Sequence, residues 1–306
     1  MKKRSLSSVL VFSLLLWGCV SQPVRRQGPP TADGTLPEGE TAAPAPVPST
    51  PFNNHLSLVL GGAGVASFAT VGLLKKLYEE GVEVDLIVAT GWPAVFALAN
   101  GYMKSIHDLE WFATRLGAKD FERMGEVDFR KDIDPSEALP SLVLNAFPLT
   151  LLSQTRVPVI LSATNTDLGE PDVFGSGEWK EPLLRTVSVP GLYRKFSADK
   201  GTGWIDGVSA LGVREAQRRG STTIVAVAMY EDYLAAISIK KDDELIRRVY
   251  AAQLRKTTAD AFKLAPLSAQ IALKKEPTDF AAKRAAILAG YREGAKLIKK
   301  LRETAN

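Results

Sequence analysis

The stretch from residue 56 to residue 102 constrains the fold more than any other part of the chain, because a strand pattern and a helix pattern alternate in it twice. The apolar run Leu56–Leu60 has the length of a strand and stops at two glycines. Apolar residues at helical spacing follow from Ala69, and Gly81 is well placed to end that helix. This part of the sequence therefore predicts a strand, a tight turn and a helix.

A second unit of the same kind follows directly. Val84–Val88 is a strand of the buried type, and a second helix begins near Ala94. Two strands joined through a helix lie parallel with a right-handed crossover. Both turns then lie at the carboxyl edge of the sheet, where open α/β sheets bind their ligands. The two units together predict an α/β domain with a site at that edge.

The two turns and the later landmarks of the chain occur in a characteristic order. The first turn is rich in glycine and the second, after the second strand, is sharp. Further on come a strand, an acidic turn, a run of small residues before Pro-Gly, an Asp-Gly pair and one more buried strand: Val157–Ala163, Thr166–Pro171, Leu184–Tyr193, Trp204–Gly207 and Thr223–Met229. Each motif alone is weak, but in this order they resemble the patatin-like phospholipase family from Leu56 to about Tyr230.

The resemblance implies an α/β fold of three layers, with a mainly parallel central sheet and C-terminal helices. It also implies that the glycine-rich turn is an oxyanion loop, on Gly61, Gly62 and Gly64, and that Asp206 is the acid of a Ser-Asp dyad. The family's second turn is the nucleophile elbow Gly-x-Ser-x-Gly. The resemblance therefore predicts where each part of an acyl hydrolase site would lie.

The nucleophilic serine of that elbow is missing from this chain. Without gaps, the family's Gly-Thr-Ser-Ala-Gly falls on Ala89–Pro93, so that Gly91 takes the position of the nucleophile. A shifted register puts Pro93 there instead. Elbow residues are commonly strained toward positive φ, which glycine adopts freely and proline cannot, and the ungapped register is therefore favoured. Neither residue has a reactive side-chain atom.

Acyl transfer needs a nucleophile, a base and donors for the oxyanion. With the nucleophile lost, we expect Asp206 to be a vestigial dyad acid that bonds a turn. Trp92 and Pro93 line the former cleft, where Trp92 either fills the space or offers a flat wall to an acyl chain. The Gly91→Ser variant, which restores a serine at this position, is expected to fold. It should show esterase activity only when Trp92→Ala and Pro93→Gly accompany it.

Three functions remain open for such a chain. The favoured one is a catalytically inactive pseudo-hydrolase that acts as a lipid-binding or scaffolding module at the cell envelope. The second is an active lipid acyl hydrolase, a phospholipase or esterase, whose nucleophile is displaced to Ser67, Ser188 or Ser209. The third is a purely structural envelope lipoprotein with a filled cleft. The expected partners are accordingly a lipid or fatty-acyl ligand, or another envelope protein.

The N-terminus reads as a bacterial lipoprotein signal peptide, residues 1–18. A basic start and a short apolar run end in Leu16–Cys19, which resembles a lipobox. Cys19 is the predicted lipidation site, for example for palmitate, and it anchors an exported protein to the membrane. It is also the single cysteine of the chain, so the protein has no internal disulfide. Val20 after it favours the outer membrane in a diderm host.

Residues 19–51 follow as the lipidated cysteine and a disordered tether. The part from Ser21 to Pro51 holds eight of the chain's 18 prolines and almost no large apolar residue. The folded part, residues 52–306, has the length of one α/β domain. Its end, residues 235–306, is expected to be helical throughout.

The C-terminal part contains two predicted amphipathic helices. Asp242 or Asp243 is expected to cap the first and Thr278 or Asp279 the second. Their apolar faces are Leu245, Ile246, Val249, Leu254 and Phe262 in the first helix, and Phe280, Ile287, Tyr291, Ile298 and Leu301 in the second. Two such helices pack onto a sheet, with a membrane-surface role of the lysine-rich last helix as the alternative. The apolar segment 139–152 is either buried or an exposed lid over a lipid cleft.

Charge and residue usage exclude several other classes. The net charge of +4 falls to about +1 when Lys2, Lys3 and Arg4 leave with the signal, and no nucleic-acid module is visible. The two histidines, His55 and His107, occupy no motif and are expected at the surface, which argues against a metal site.

The glycine-rich turn imitates a dinucleotide fingerprint, which needs an acid at the end of the second strand. Glu83 and Asp85 lie instead at the beginning of that strand. No cofactor is therefore expected.

Overall fold

The computed structural model describes residues 56–117, 141–147, 150–188, 196–197, 203–206, 211–229, 244–273, 275 and 279–304. All of them belong to one compact unit, residues 46–306. The predicted signal peptide, Cys19 and the tether lie outside the described residues, as do Ser209, Asp242, Asp243 and Thr278. The predicted boundaries of the leader and tether therefore remain predictions.

Within the described ranges eight strands form one sheet, whose hydrogen-bonded neighbours follow the path β5-β6-β3-β2-β1-β7-β8, and β4 pairs with β3 as well. The strands are β1 (Leu56–Gly62), β2 (Leu86–Gly91), β3 (Val159–Asn165), β4 (Pro171–Phe174), β5 (Phe196–Ser197), β6 (Gly203–Ile205), β7 (Thr223–Met229) and β8 (Leu267–Gln270). The four pairings among β3, β2, β1, β7 and β8 are parallel, and the pairings of β4, β5 and β6 are antiparallel. The central strands are buried on both faces, which explains their near-continuous apolar sequences.

In the described residues eight α-helices accompany the sheet: α1 (Ala69–Glu79), α2 (Pro93–Tyr102), α3 (Ile106–Arg115), α4 (Ser141–Ala146), α5 (Lys180–Val187), α6 (Val213–Arg218), α7 (Glu244–Leu264) and α8 (Lys283–Thr304). The helices α1, α2 and α3 connect β1, β2 and β3 in the order in which these strands lie, so right-handed crossovers put them on one face. The chain then runs in the opposite direction along the sheet, which puts α6 and α7 on the other face.

Side-chain contacts agree with this division into two helical layers. Val88 and Thr90 point to the same face of β2, because successive strand side chains alternate. Val88 packs against Gly212 at the start of α6, and Thr90 lies 3.4 Å from the hydroxyl of Thr186 in α5. The last helix, α8, packs on α1 in the first layer. The predicted fold class, an α/β fold of three layers with a mainly parallel sheet and C-terminal helices, is confirmed.

The contact between α1 and α8 is close enough to exclude a side chain at its centre. A Cβ on Gly72 would lie 1.8 Å from the carbonyl oxygen of Ile287, and a Cβ on Gly290 would lie 1.9 Å from that of Ala69. Small residues let two helix backbones approach in this way. The first and last helices of the domain are therefore joined backbone to backbone.

Several boundaries differ from those that the sequence predicts. β1 continues through the two glycines to Gly62, because β2 and β7 flank it on both sides and pair with it to its end. The segment 235–306, which is expected to be helical, also contains a strand, since β8 pairs with the open edge of β7. Val249, expected in the apolar face of its helix, is 61% exposed. Asp279 precedes a short 3-10 helix and its side chain caps nothing.

Most of the large apolar side chains in the described part of the segment 139–152 are buried or half-buried. Val143, Phe147 and Leu152 are all in the core, and the Phe147 ring packs edge-on against Trp179 with ring centroids 4.9 Å apart. Leu151 is partly exposed. These contacts favour the buried alternative over an exposed lid.

Candidate functional site

The elbow lies at the carboxyl end of β2, and its central residue has the backbone conformation that the ungapped register requires. Gly91 has a φ of +68°, Trp92 follows it as the N-cap residue, and Pro93 is the first residue of α2. A proline in the first turn of a helix is well accommodated because its missing N–H has no partner there in any case. The shape of a nucleophile elbow is thus present without its nucleophile.

The carbonyl group of Gly62 occupies the space in front of the elbow. Gly62 and Gly91 are the last paired residues of β1 and β2, and the amide of Trp92 donates to the Gly62 oxygen at 3.1 Å. A Cβ built on Gly91 would lie 2.0 Å from that oxygen. The Gly91→Ser variant is therefore expected to cost more than the left-handed backbone conformation alone, because any side chain at this position meets a backbone carbonyl.

The predicted oxyanion loop is partly strand. Gly61 and Gly62 belong to β1 and pair with neighbours on both sides. The amide of Ala63 donates to the carbonyl of Met229 at 3.5 Å, and Gly64, with a φ of +58°, begins a 3-10 helix that runs to Phe68. Oxyanion holes use backbone amides of such a loop and of the residue after the nucleophile. Two of these amides, at residues 63 and 92, bond to carbonyl groups of the protein instead.

Trp92 and Pro93 are both buried at the elbow. Trp92 is 1% exposed and is among the largest fully buried side chains of the described chain. Pro93 packs near Gly62, where a Cβ would lie 3.1 Å from the proline ring. Both side chains are therefore part of the core at this edge of the sheet.

The register of β3 brings Asp206 to the elbow. Leu161 of β3 pairs with β2 on one side and β4 on the other, whereas Thr164 pairs with β4 and with β6. Since β4 occupies one edge of β3 throughout, β6 must lie on the edge that β2 occupies further back. β6 therefore meets the end of β2, and Asp206, the residue after β6, lies beside Gly91.

Asp206 is fully buried and held through three groups. Its carboxylate accepts a hydrogen bond from the hydroxyl of Tyr250 at 2.6 Å. Its backbone amide donates to the carbonyl of Ser188 at 3.1 Å, and its carbonyl accepts from the hydroxyl of Thr164 at 2.7 Å. These contacts fix the aspartate as a structural element of the sheet edge.

The end of α5 links the elbow to Asp206. The hydroxyl of Thr186 donates to the carbonyl of Ser162 and accepts from the amide of Gly91 at 3.2 Å. Two residues later, the backbone carbonyl of Ser188 accepts a hydrogen bond from the amide of Asp206. Thr186 lies in the run of small residues already singled out, which was a usable signal for this role. No comparable signal pointed to Tyr250, because this residue lies 44 positions after Asp206, on a helix in which nothing distinguishes it from its neighbours.

The serines considered as displaced nucleophiles are not presented to a ligand in the described structure. Ser67 is fully buried in the 3-10 helix after the glycine-rich turn. Ser188 is buried and donates its hydroxyl proton to the carbonyl of Leu184 at 2.7 Å. Ser209 lies outside the described residues. Ser188 nevertheless lies next to Asp206 through the backbone bond between them.

The described residues offer no group of three or more His, Cys, Asp or Glu side chains that could hold a metal ion. His107 is exposed beside Glu110, and His55 lies outside the described range. Asp85 accepts the amide of Leu56 at 3.0 Å, which places it at the amino edge of the sheet, opposite the site. Of the helices in the described ranges, none combines the length and the apolar character that crossing a bilayer requires.

Distant likenesses to known proteins include a curated sequence and a solved structure, while no family model matches. Over 186 residues the chain is 26% identical to lysophospholipase NTE1 of Lodderomyces elongisporus, a match that covers 57% of this chain and 12% of that protein. The fold is similar to that of VipD from Legionella pneumophila, with a TM-score of 0.51, 13% identity, and coverage of 80% of this chain and 67% of VipD. The chain thus spans only a small part of the curated relative. Both likenesses support the patatin-like resemblance.

Proposed function

We propose that this protein is an envelope-anchored, patatin-like lipoprotein whose domain is a catalytically inactive pseudo-hydrolase. Its role is that of a binding module, and scaffolding of an envelope partner is the favoured form of it. The observation that carries the proposal is the Gly62 carbonyl, which stands 2.0 Å from the place where a nucleophile's Cβ would begin. A serine at the elbow would collide with this carbonyl unless the backbone moved.

The state of the catalytic acid supports the same proposal. In a Ser-Asp dyad the carboxylate must be available to the hydroxyl of the nucleophile. Here Asp206 already accepts a hydrogen bond from Tyr250 at 2.6 Å inside the core. The nucleophile is missing, and the acid is already hydrogen-bonded inside the core. Only a small residual of the family's catalysis would remain under these conditions.

The burial of Trp92 supports scaffolding over lipid binding. A cleft that admits an acyl chain would leave the side chains at the elbow accessible to it. Trp92 is 1% exposed, and its neighbour Pro93 is buried as well. The surface of the domain, rather than a pocket at the elbow, is then what a partner protein recognises.

The enzymatic part of the proposal predicts no hydrolysis. The purified chain is expected to release no acyl groups above background from lysophospholipid, phospholipid or nitrophenyl esters, and to resist labelling by a fluorophosphonate probe. Asp206→Asn is expected to leave these readings at background while it lowers the stability. Removing one partner of a buried charged hydrogen bond costs about 1–3 kcal/mol, which a denaturant titration measures.

The matched variant for this test is Tyr250→Phe, which removes the other partner of the same bond. It should destabilise the domain comparably and leave acyl release unchanged. Turnover that Asp206→Asn abolishes would reject the inactive domain and favour the displaced-nucleophile alternative. Ser188→Ala would then be the first variant to examine, because Ser188 contacts Asp206 directly.

The anchor is a separate part of the proposal. If Cys19 carries lipid, Cys19→Ser should move the protein from the membrane fraction to the soluble fraction of cells, and mass spectrometry of the wild type should find an acylated N-terminal cysteine. Ser21→Ala, two residues away, serves as the control and should fractionate like the wild type. Equal distribution of wild type and Cys19→Ser would refute lipid anchoring while leaving the question of hydrolysis untouched.

A further inference from the structure

The last helix, α8, concentrates the positive charge of the protein. Its 22 residues include seven Lys and Arg against two Glu, and seven cations less two carboxylates leave +5. The whole chain carries +4, so the rest of the sequence has a slight negative excess. The charge of α8 is therefore a local property and does not reflect a generally basic protein.

These cations form a stripe along the outer face of α8. The inner face consists of small and apolar residues that pack in the core: Ala286, Gly290, Gly294, Leu297 and Ile298. The basic stripe, as we call the exposed cations between residues 284 and 300, consists of Arg284, Arg292, Lys296, Lys299 and Lys300. At 1.5 Å per residue these positions extend over about 24 Å.

Three cations of the basic stripe have no acceptor among the described residues: Arg284, Arg292 and Lys300. Lys296 pairs with Glu293 at 2.7 Å and Lys299 approaches Glu303 only to 4.0 Å. Such exposed pairs within a helix contribute little and break easily. The stripe therefore offers up to five ammonium and guanidinium groups to an external anion.

Two acidic groups border α8, and one of them is paired with cations outside the stripe. Glu80 accepts hydrogen bonds from Lys76 and from Arg302, and these bonds hold the pKa of its carboxyl below the usual value. Glu79 accepts a hydrogen bond from the hydroxyl of Tyr291 at 2.5 Å, which leaves its charge in place. At most the one charge of Glu79 therefore opposes the cations of the basic stripe.

Exposed large apolar side chains accompany the stripe. Leu288 lies within it and is 47% exposed. Tyr78 on α1 and Trp111 on α3 are 65% and 63% exposed, and both belong to helices of the same layer, since α1 contacts both α3 and α8. Tyr and Trp are the residues enriched where proteins meet the polar surface of a membrane.

We propose that the basic stripe of α8 docks the domain on a membrane surface rich in anionic phospholipid headgroups. Clusters of Lys and Arg are attracted to such surfaces, each contributing about fivefold to the binding constant near the membrane. An acidic protein would satisfy the charges as well, but it gives no reason for an exposed leucine among them or for the exposed aromatic rings on α1 and α3. The close contact of α8 with α1 holds the stripe as a rigid, extended surface.

This proposal goes beyond the anchoring by Cys19 and does not depend on it. The test uses the full chain with Cys19→Ser, so that no acyl chain contributes, and measures co-flotation with vesicles. Vesicles of phosphatidylcholine with about one third phosphatidylglycerol should bind the protein at low salt and release it as the salt concentration rises, because the attraction is screened. Pure phosphatidylcholine vesicles should bind it at least tenfold more weakly.

The decisive variant combines Arg284→Gln, Arg292→Gln and Lys300→Gln, and it should weaken binding to the anionic vesicles about 100-fold. The matched control combines Lys180→Gln, Arg214→Gln and Arg255→Gln, three exposed cations on α5, α6 and α7. It removes the same charge from other helices and should bind within about threefold of the parent.

Equal weakening by both triple variants would overturn the proposal, because net charge alone would then explain the binding. Failure of the parent to bind anionic vesicles at low salt would overturn it as well, and would favour an acidic protein as the partner of the stripe. Thermal melts of both variants verify the fold. Neither equal weakening by the two variants nor failure of the parent to bind would bear on hydrolysis or on the lipidation of Cys19.

Discussion

Gly91→Ser is expected to destabilise the domain by about 2–5 kcal/mol and to produce no hydrolysis. A side chain at φ +68° costs about 1–2 kcal/mol in the left-handed region. The contact of its Cβ with the Gly62 oxygen, at 2.0 Å, adds about 1–3 kcal/mol, because a backbone carbonyl cannot rotate away as a side chain does. Denaturant titration measures the sum, and a fluorophosphonate probe reports whether the new hydroxyl reacts.

Gly81→Ser separates the two contributions. Gly81 has almost the same φ, +65°, but a Cβ there would have nothing within 4 Å. It should therefore cost only about 1–2 kcal/mol. If Gly91→Ser costs no more than Gly81→Ser, the Gly62 carbonyl moves aside easily and the elbow can hold a nucleophile. That result would contradict the central argument for an inactive domain.

Gly290→Ala is expected to destabilise the domain by about 2 kcal/mol, although alanine favours helices over glycine by about 1 kcal/mol. Its methyl group would lie 1.9 Å from the carbonyl oxygen of Ala69 and 2.6 Å from the carbonyl carbon, so α8 must move away from α1. Overpacking of this kind costs about 1–3 kcal/mol. The cost is expected at the upper end of this range, because the methyl group would meet backbone atoms of Ala69, which cannot rotate away as a side chain does. The free energy of unfolding measures the effect.

Gly294→Ala on the same helix provides the control. A Cβ at this position meets only side-chain atoms, the nearest being Cβ of Lys76 at 3.0 Å. We expect it to change the stability by less than about 1 kcal/mol, with the helix propensity offsetting a small adjustment. Comparable losses in Gly290→Ala and Gly294→Ala would show that α8 tolerates no substitution on its inner face, and would refute the special role of the backbone contact.

The strands that form the centre of the sheet could be predicted because apolar runs between glycines leave few alternatives. β7 has the predicted boundaries, Thr223–Met229. β1 was predicted two residues too short, since glycine is a poor strand former and only the pairing on both sides keeps Gly61 and Gly62 extended. β8, Leu-Ser-Ala-Gln, has no strand pattern of its own. It is a strand because the edge of β7 lies open to it.

The order of the motifs along the sequence predicted the positions of the elbow and of the catalytic acid, Asp206. It could not predict which groups contact them. The direction of the Gly62 carbonyl follows from how β1 and β2 end together, which is a property of the assembled sheet. Tyr250 reaches Asp206 from a helix that follows it by 44 residues, and its neighbours give it no distinguishing pattern. Hydrogen bonds between distant segments of this kind depend on the tertiary structure.

The backbone contact between Gly72 and Gly290 also bears on when this domain can fold. The two residues are separated by more than 200 positions, and β8, at one end of the parallel strands, likewise forms from the last part of the chain. Non-local contacts of this kind slow folding, because the intervening chain must be ordered before they form. Until the 22 residues of α8 have emerged from the ribosome, the first helix lacks the partner that covers it. The domain is therefore completed only once this helix has been synthesised.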